Sequence, residues 1–287
     1  MKGITIMSIV VGIDIGGSTT KIAGFRDKEM LKPVQISASN AIASLFGAFG
    51  KFLYDNKLEL SDIKQVNLTG VGSSQVDQAI YGLPTYKVDE FTANGLGGGY
   101  FARGKKEFMV VSMGTGTSFV GVKDGIPTHM GGIGIGGGTI IGLSKIMLKT
   151  DDIDKIQELA MKGKVSNIDL RVGDISKRPL PGLNLDVTAS NFGKTSSIAP
   201  PEDLAAGIVH MVVESICQTA ALIAQNTNIK DFILIGALTN FPECETVSSM
   251  IKTLFPGVNF IVDEDGEYGT AIGTALAGKC CLKHVAG

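Results

Sequence analysis

Neither sign of charge dominates this sequence: 26 lysines and arginines stand against 28 aspartates and glutamates, for a net charge of −2 and a pI of about 6.0. A basic field that would draw nucleic acid or anionic lipid to the surface is therefore missing, and neither is expected as a partner. Cysteine is scarce. Cys217, Cys244, Cys280 and Cys281 form no Cys-x-x-Cys pair, and the three histidines (His129, His210, His284) are scattered. That pattern excludes a structural zinc site and an extracellular disulfide framework, and it predicts a cytoplasmic protein. Long apolar runs are lacking too: no window approaches the roughly 18 residues needed to cross a bilayer. Residues 1–13 are apolar but carry a lysine, lack a small-residue cleavage site and run straight into Asp14, which reads as a first strand and not as a signal peptide.

What is present is core and glycine. Of 287 residues 44% are hydrophobic, enough for a large packed interior, and the 38 glycines cluster behind apolar runs. Strands are predicted at 9–13, 22–25, 65–69, 107–112, 118–123, 232–235 and 259–262, several of them β-branched runs closed by glycine, as in strands buried on both faces. Helices are predicted at 41–56, 90–103, 139–149, 152–162, 201–226, 244–255 and 269–282. The helix at 201–226 opens with Pro-Glu-Asp and is apolar on more than one face, so it is expected to be buried. The class is α/β. A weak echo organises it: the strand, glycine turn and strand around Asp14 recur around Ser112, 98 positions later. Two such units predict duplicated lobes facing across a cleft, residues 1–104 and 105–287, with the boundary near Gly104 and Lys105. Residues 166–197, rich in proline, glycine and asparagine, read as an insertion or substrate loop.

The turns carry the chemistry. In Asp14-Ile-Gly-Gly-Ser-Thr-Thr-Lys21, Gly16 and Gly17 let the chain reverse with its N–H groups exposed to an anion. Ser18 and Thr19 add hydroxyls, Lys21 a positive charge, and Asp14 a carboxylate suited to a hydrated Mg²⁺. Gly114, Thr115, Gly116 and Thr117 repeat the glycine-plus-hydroxyl design, so two matched loops could hold one nucleoside triphosphate, ATP, between the lobes. The stretch from Gly131 to Gly138 has six glycines in eight positions and feeds a helix. There Gly134, Gly136, Gly137 and Gly138 offer close backbone approach to an anion, or else a hinge. No acidic residue follows at the spacing of a dinucleotide fold. Asp89 and Glu90, after a strand-like 85–88, are both candidates for the base that deprotonates an attacking hydroxyl, and both suit a helix start.

With these motifs in hand, the chain resembles the type II pantothenate kinases over nearly its whole length. The matching stretches are Gly12-Ile-Asp-Ile-Gly-Gly-Ser-x-x-Lys21, Val88-x-Glu-Phe-x-Ala93, Gly114-Thr-Gly-Thr-Ser118, Gly131-Gly-Ile-Gly-x-Gly-Gly-Gly138, Ile168-Asp-Leu-x-Val172, Asp186-x-Thr-Ala-x-Asn-Phe-Gly193 and Gly269-x-Ala-Ile-Gly273. The resemblance implies a two-lobed actin- and hexokinase-like fold (ribonuclease H-like), a homodimer, and phosphorylation of pantothenate by MgATP. It implies Glu90 as the general base, Asp14 as the magnesium-organising aspartate and Lys21 as the phosphate-binding lysine. Thr115, Ala189 and Asn191 would touch the substrate, the last two on a loop that helps close its pocket with residues of the partner subunit. One position departs: His129 stands where the family carries an arginine against the substrate. A shorter, mostly neutral side chain cannot grip a carboxylate bidentately. Arg103 and Arg171 are candidate replacements. That departure leaves room for another hydroxylated acceptor, such as an amino sugar, or for a non-catalytic binder of ATP or an acyl thioester. The adjacent Cys280 and Cys281 read as packing or surface thiols, not as ligands of a cluster in an ATP-driven dehydratase activator.

Overall fold

The computed structural model of the protein describes residues 8–37, 40–176, 178, 184–225 and 227–285. Residues 1–7 of the expected first strand, part of the 166–197 segment and Asn226 at the end of the expected 201–226 helix lie outside them. The chain opens with β1 (Ile9–Ile15) and β2 (Thr19–Arg26), an antiparallel hairpin to which β3 (Glu29–Met30) and β4 (Val34–Ser37) add along β2. Helix α1 (Ala41–Asn56) packs Leu45, Phe49 and Phe52 into the core of this sheet. Asn40 caps the helix by accepting from the Ala43 N–H, and Lys57, at φ 54°, closes it. Strands β5 (Ile63–Thr69) and β6 (Thr85–Lys87) then extend the sheet in parallel from the other side of β1.

Helix α2 (Glu90–Phe101) leads to a second sheet built on the same plan. Strands β7 (Glu107–Met113), β8 (Thr117–Lys123) and β9 (Ile126–Ile133) form the antiparallel meander. After α3 (Gly137–Met147) and α4 (Ile153–Lys162) comes a small ribbon of β10 (Leu170–Arg171) and β11 (Thr188–Ser190), with α5 (Val172–Ile175) between them. Helix α6 (Pro201–Ala224) follows, then β12 (Asp231–Ile235), α7 (Glu243–Leu254) and β13 (Asn259–Val262), the two strands lying parallel to β7. The chain then returns through α8 (Gly269–Leu276) to β14 (Lys283–His284), which pairs with β6 in the first sheet. Hairpin plus parallel extension, twice over, is the duplication that the echo around Asp14 and Ser112 anticipates.

Helix α6 revises one expectation about hydropathy. With 24 residues it is long and apolar enough to span a membrane by composition, although two-thirds of its most apolar window is buried inside the protein. Val209, Val212, Val213 and Ile216 pack with Met109, Val111 and Phe119 of the second sheet, and the buried His210 and Glu214 lie among them. It is the central core helix of its lobe. Two further differences have local causes. The helix expected at 269–282 stops at Leu276, where Ala277 leaves helical geometry before Gly278, and Cys281 and Leu282 instead pack on Val88 and Ala93. Strand β9 was hidden by Pro127 and two glycines, which an edge strand tolerates because only β8 pairs with it.

The lobes are joined where α2 crosses α8. Helix α2 contains four glycines in 12 residues, a poor helix former in isolation. Tertiary contact compensates for that. A side chain at Gly97 would collide with the Gly269 carbonyl, and one at Gly273 with the Ala93 carbonyl. Thr270 Oγ1 donates to Asn94 Oδ1 at 2.8 Å inside the crossing, and Asn67 Nδ2 of β5 reaches the Thr274 carbonyl at 2.9 Å. Gly273→Ala is expected to force the helices apart and destabilise the protein by about 3 kcal/mol, seen as a lowered denaturation midpoint; an unchanged midpoint would mean that the crossing is looser than described.

Candidate active site

Both hairpins end in three-residue glycine turns. In the first, Gly16-Gly17-Ser18, the Gly16 N–H donates to the Thr19 carbonyl at 3.0 Å, which leaves Gly17 and Ser18 exposed at the tip. In the second, Gly114-Thr115-Gly116, the Gly114 N–H donates to the Gly116 carbonyl at 2.9 Å, with Thr115 exposed. The tips face each other: a methyl group at Gly17 would lie 3.9 Å from Thr115 Oγ1. A further pocket opens beside the first turn, lined by Gly16, Gly17, Asn40, Ala41, Val71, Gly72 and Gln75.

The glycine run before α3 is stitched onto the second turn. The N–H groups of Gly137 and Gly138 donate to the carbonyls of Gly114 and Thr115 at 2.8 and 3.0 Å, and Thr117 Oγ1 donates to the Ile135 carbonyl at 2.8 Å. Gly136 is also packed against Thr115 and Gly114, whereas Gly134 faces open space. The first helical N–H groups are thus engaged in holding the turn.

Register places Asp14 directly across from Lys21. Lys21 is only 5% exposed, and its ammonium donates to the Glu267 carbonyl at 2.9 Å, a tie from the first hairpin to the segment before α8. Burial holds its pKa below the usual lysine value, against the opposing pull of Glu267 and Asp14. Asp14 keeps some surface open, but Gly70, at φ 83°, abuts its Oδ1. Desolvation pushes the Asp14 carboxyl up to about 6; Lys21 pulls it down and the charge of Glu90 adds to the rise. The charge of Glu90 therefore reaches Asp14.

The two acids at the start of α2 have separate positions. Asp89 is the N-cap, its Oδ1 accepting from the Thr92 N–H at 3.0 Å. Glu90 accepts no hydrogen bond among the described residues. Its pKa is raised, first by desolvation and then by Asp89. Beside it, the Phe91 ring stacks on His129, with centroids 4.0 Å apart and planes at 20°. Arg103 and Arg171 are engaged with Asp263 and Asp186 at 3.8 and 3.3 Å. Arg103 also lies just past the far end of α2, roughly 20 Å from Glu90 by helical rise.

The remaining expected residues stand elsewhere. Ala189 is exposed on β11. The Asn191 amide nitrogen donates to Glu214 Oε2 at 2.9 Å and Asp169 Oδ2 at 3.3 Å. That network continues to His210, whose Nδ1 meets Glu243 Oε1 at 2.6 Å and whose Nε2 meets Thr188 Oγ1 at 3.3 Å. Among the described residues, no hydrogen bond joins 188–191 to Glu90 or to either turn. Sequence reasoning missed this cluster, although the i,i+4 pair His210 and Glu214 on an otherwise apolar helix was a signal. It also missed Gly70 and the Glu267 carbonyl, contacts that no local pattern encodes.

Two lobes with facing glycine turns define an actin- and hexokinase-like fold, and solved structures agree on it. The chain is similar to an activator of 2-hydroxyisocaproyl-CoA dehydratase from Clostridium difficile with bound ADPNP (TM-score 0.67, 16% identity, 93% of each chain covered). It is also similar to a ROK family glucokinase from Streptomyces griseus in complex with glucose and AMPPNP (TM-score 0.59, 11% identity, 93% of this chain and 98% of that one). Sequence comparison is narrower. A type II pantothenate kinase from Bacillus cereus strain G9842 is 32% identical over 288 residues, covering 94% of this chain and 98% of its own length. One from Staphylococcus aureus strain MRSA252 is 26% identical, with 94% and 99% covered. The family model described as Fumble matches residues 102–254. The chain belongs to the type II pantothenate kinase family.

A raised aspartate binds its proton more tightly in the folded than in the unfolded state. Its contribution thus opposes folding at neutral pH, and stability from this group falls as pH rises from about 3.8 to about 6. Asp14→Asn is expected to raise the unfolding free energy at pH 7 by about 1–3 kcal/mol. Equal stability of the two proteins at pH 7 in denaturant titration would show Asp14 to be better solvated than this.

Proposed function

We infer that the protein transfers the γ-phosphoryl group of ATP to the primary hydroxyl of pantothenate, giving ADP and 4′-phosphopantothenate, the first step of coenzyme A biosynthesis. The observation that carries the reading is the approach of the two turn tips at Gly17 and Thr115, with Asp14 and Glu90 within electrostatic reach of each other. Membership of the family supplies the acceptor.

Gly16, Gly17, Ser18 and Thr19 on one side, and Gly114, Thr115, Gly116 and Thr117 on the other, would present N–H and hydroxyl donors to the triphosphate. Gly136, Gly137 and Gly138 would hold the second turn to its shape, while Gly134 leaves space open beside it. Lys21 spends one of three donors on Glu267, which leaves two for phosphate oxygens. Glu90, unpaired and raised by burial and by Asp89, would accept the proton of the acceptor hydroxyl as its oxygen attacks the γ-phosphorus and ADP departs. The donor set fits Mg²⁺. Among the described residues no group of three or more His, Cys, Asp or Glu side chains could enclose a metal, and magnesium asks only for a carboxylate such as Asp14 plus waters and phosphates. When bound there it would offset the negative charge gathering on the phosphates.

His129, stacked on Phe91, the residue after Glu90, would contact the acceptor in place of the family arginine. Its imidazole favours weaker carboxylate binding and keeps an amino sugar or another hydroxylated acceptor in contention, which a substrate panel decides. Because Asn191 and Ala189 sit on a loop bound to α6 and not to the turns, they would complete the site of the partner subunit in a homodimer. A cytoplasmic location follows from the same reading. With ATP, Mg²⁺ and pantothenate, the wild type should release ADP, and Glu90→Gln should lose roughly 10²–10⁴-fold in kcat with ATP binding kept. Full turnover in the variant would remove Glu90 from the mechanism.

A further inference from the structure

Two of the four cysteines are chemically set apart from the others. Cys217 and Cys244 are buried in the second-lobe core, where desolvation drives the first thiol well up and the second to about 12; thiols of that kind are inert. Cys280 and Cys281 stand together on a short turn, Lys279–Cys281, with sulfurs 3.6 Å apart. Cys280 is exposed. Cys281 is half-buried and packs with Val88, Ala93 and Ala277. The hydrogen bond between the sulfurs keeps Cys281 protonated above the usual thiol range, which leaves Cys280 as the accessible sulfur for exchange.

The turn sits next to the edge of the first sheet. Two residues on, β14 pairs Lys283 with Lys87 and His284 with Tyr86, and the Val285 N–H donates to the Thr85 carbonyl at 3.0 Å. Strand β6 runs directly into Val88, Asp89 and Glu90. The dithiol therefore rests on the edge and the apolar floor that support the first turn of α2.

We propose that Cys280 and Cys281 form a modification site for low-molecular-weight disulfides, which closes to a vicinal disulfide and loosens the β14–β6 edge beneath Glu90. Cys280, its proton lost to solvent, attacks one sulfur of the small disulfide and releases one small thiol. Cys281 then loses its proton and attacks the Cys280 sulfur of the mixed disulfide, releasing the second. The protein gives up two protons and two electrons, and the small disulfide takes them up to become two thiols. Neighbouring Cα atoms lie about 3.8 Å apart across a trans peptide, short of the roughly 4.4–6.8 Å that disulfides usually span. Closure must therefore twist the Cys280–Cys281 peptide and disturb the bond from the Cys281 N–H to the Gly278 carbonyl, now 2.9 Å. A disulfide held so is easily reduced again, which makes the modification reversible.

The site does not depend on the kinase reading; only its effect on phosphoryl transfer rests on it. The test treats the full-length folded protein with 2-hydroxyethyl disulfide, then measures the mass of the C-terminal peptide and amide hydrogen exchange. The expected result is loss of the Cys280 and Cys281 thiols with no adduct retained, and exchange at 85–88 and 283–285 faster by about tenfold. A reducing agent should reverse both. Cys281→Ser should stop at a stable adduct on Cys280, and Cys280→Ser should not close. Unreacted thiols, adducts that remain on both cysteines, or closure that leaves exchange unchanged would each overturn the proposal. In the active enzyme closure should slow turnover several-fold. A reduced protein that phosphorylates nothing would sink the kinase reading while leaving the mass and exchange readouts in force.

Discussion

The crossing of α2 over α8 is the constraint on which the rest of the arrangement depends. Glycines at 97, 269 and 273 bring two helix backbones into direct contact, and the buried Asn94–Thr270 hydrogen bond sets their rotation. Each helix is also an arm of the site. Glu90 is the first residue of α2, and Glu267, whose carbonyl takes the Lys21 ammonium, lies just before α8. A core contact between small residues thus fixes how the acid at one helix start faces the hairpin that carries Asp14. Among the described residues Asn94 Nδ2 in the same crossing has no partner, so close approach was retained at the expense of full hydrogen bonding.

Around that frame the site keeps charge in surroundings that disfavour it. Asp14, Lys21 and Glu90 all have pKa values moved toward neutrality, with desolvation the largest cause each time. Such a set is unfavourable for folding and suits the proposed phosphoryl transfer, where a proton acceptor should lie near the working pH and a cation should be poorly screened. The facing turns add donors that need no rearrangement, because the Gly114–Gly116 bond and the contacts from Gly137 and Gly138 hold the second turn in shape. Rigidity of this kind is what positioning and electrostatic catalysis require.

Much of this was legible in the linear chain. Apolar runs closed by glycine, such as 9–13 and 107–112, marked the two hairpins because buried strands and tight turns leave local signatures. The order of the motifs led to the family, which the relatives then showed. Where local signals conflicted, the reading failed. Pro127 and its neighbouring glycines disguised β9, and the last helix ends at Leu276, short of the expected 282.

By itself the sequence determined the α/β class, the duplicated turns, the buried character of α6 and the family, since periodicity, turn chemistry and motif order are properties of neighbours along the chain. Tertiary structure decided which of Asp89 and Glu90 caps α2 and which stays unpaired, that Lys21 reaches the Glu267 carbonyl, and that Asn191 turns to Glu214 and Asp169. The Asp89 cap is local to the first turn of α2, whereas the Lys21 and Asn191 contacts join groups distant in sequence that meet only when the chain packs. Burial, which sets the proton affinity of Asp14 and Glu90, exists only after that packing.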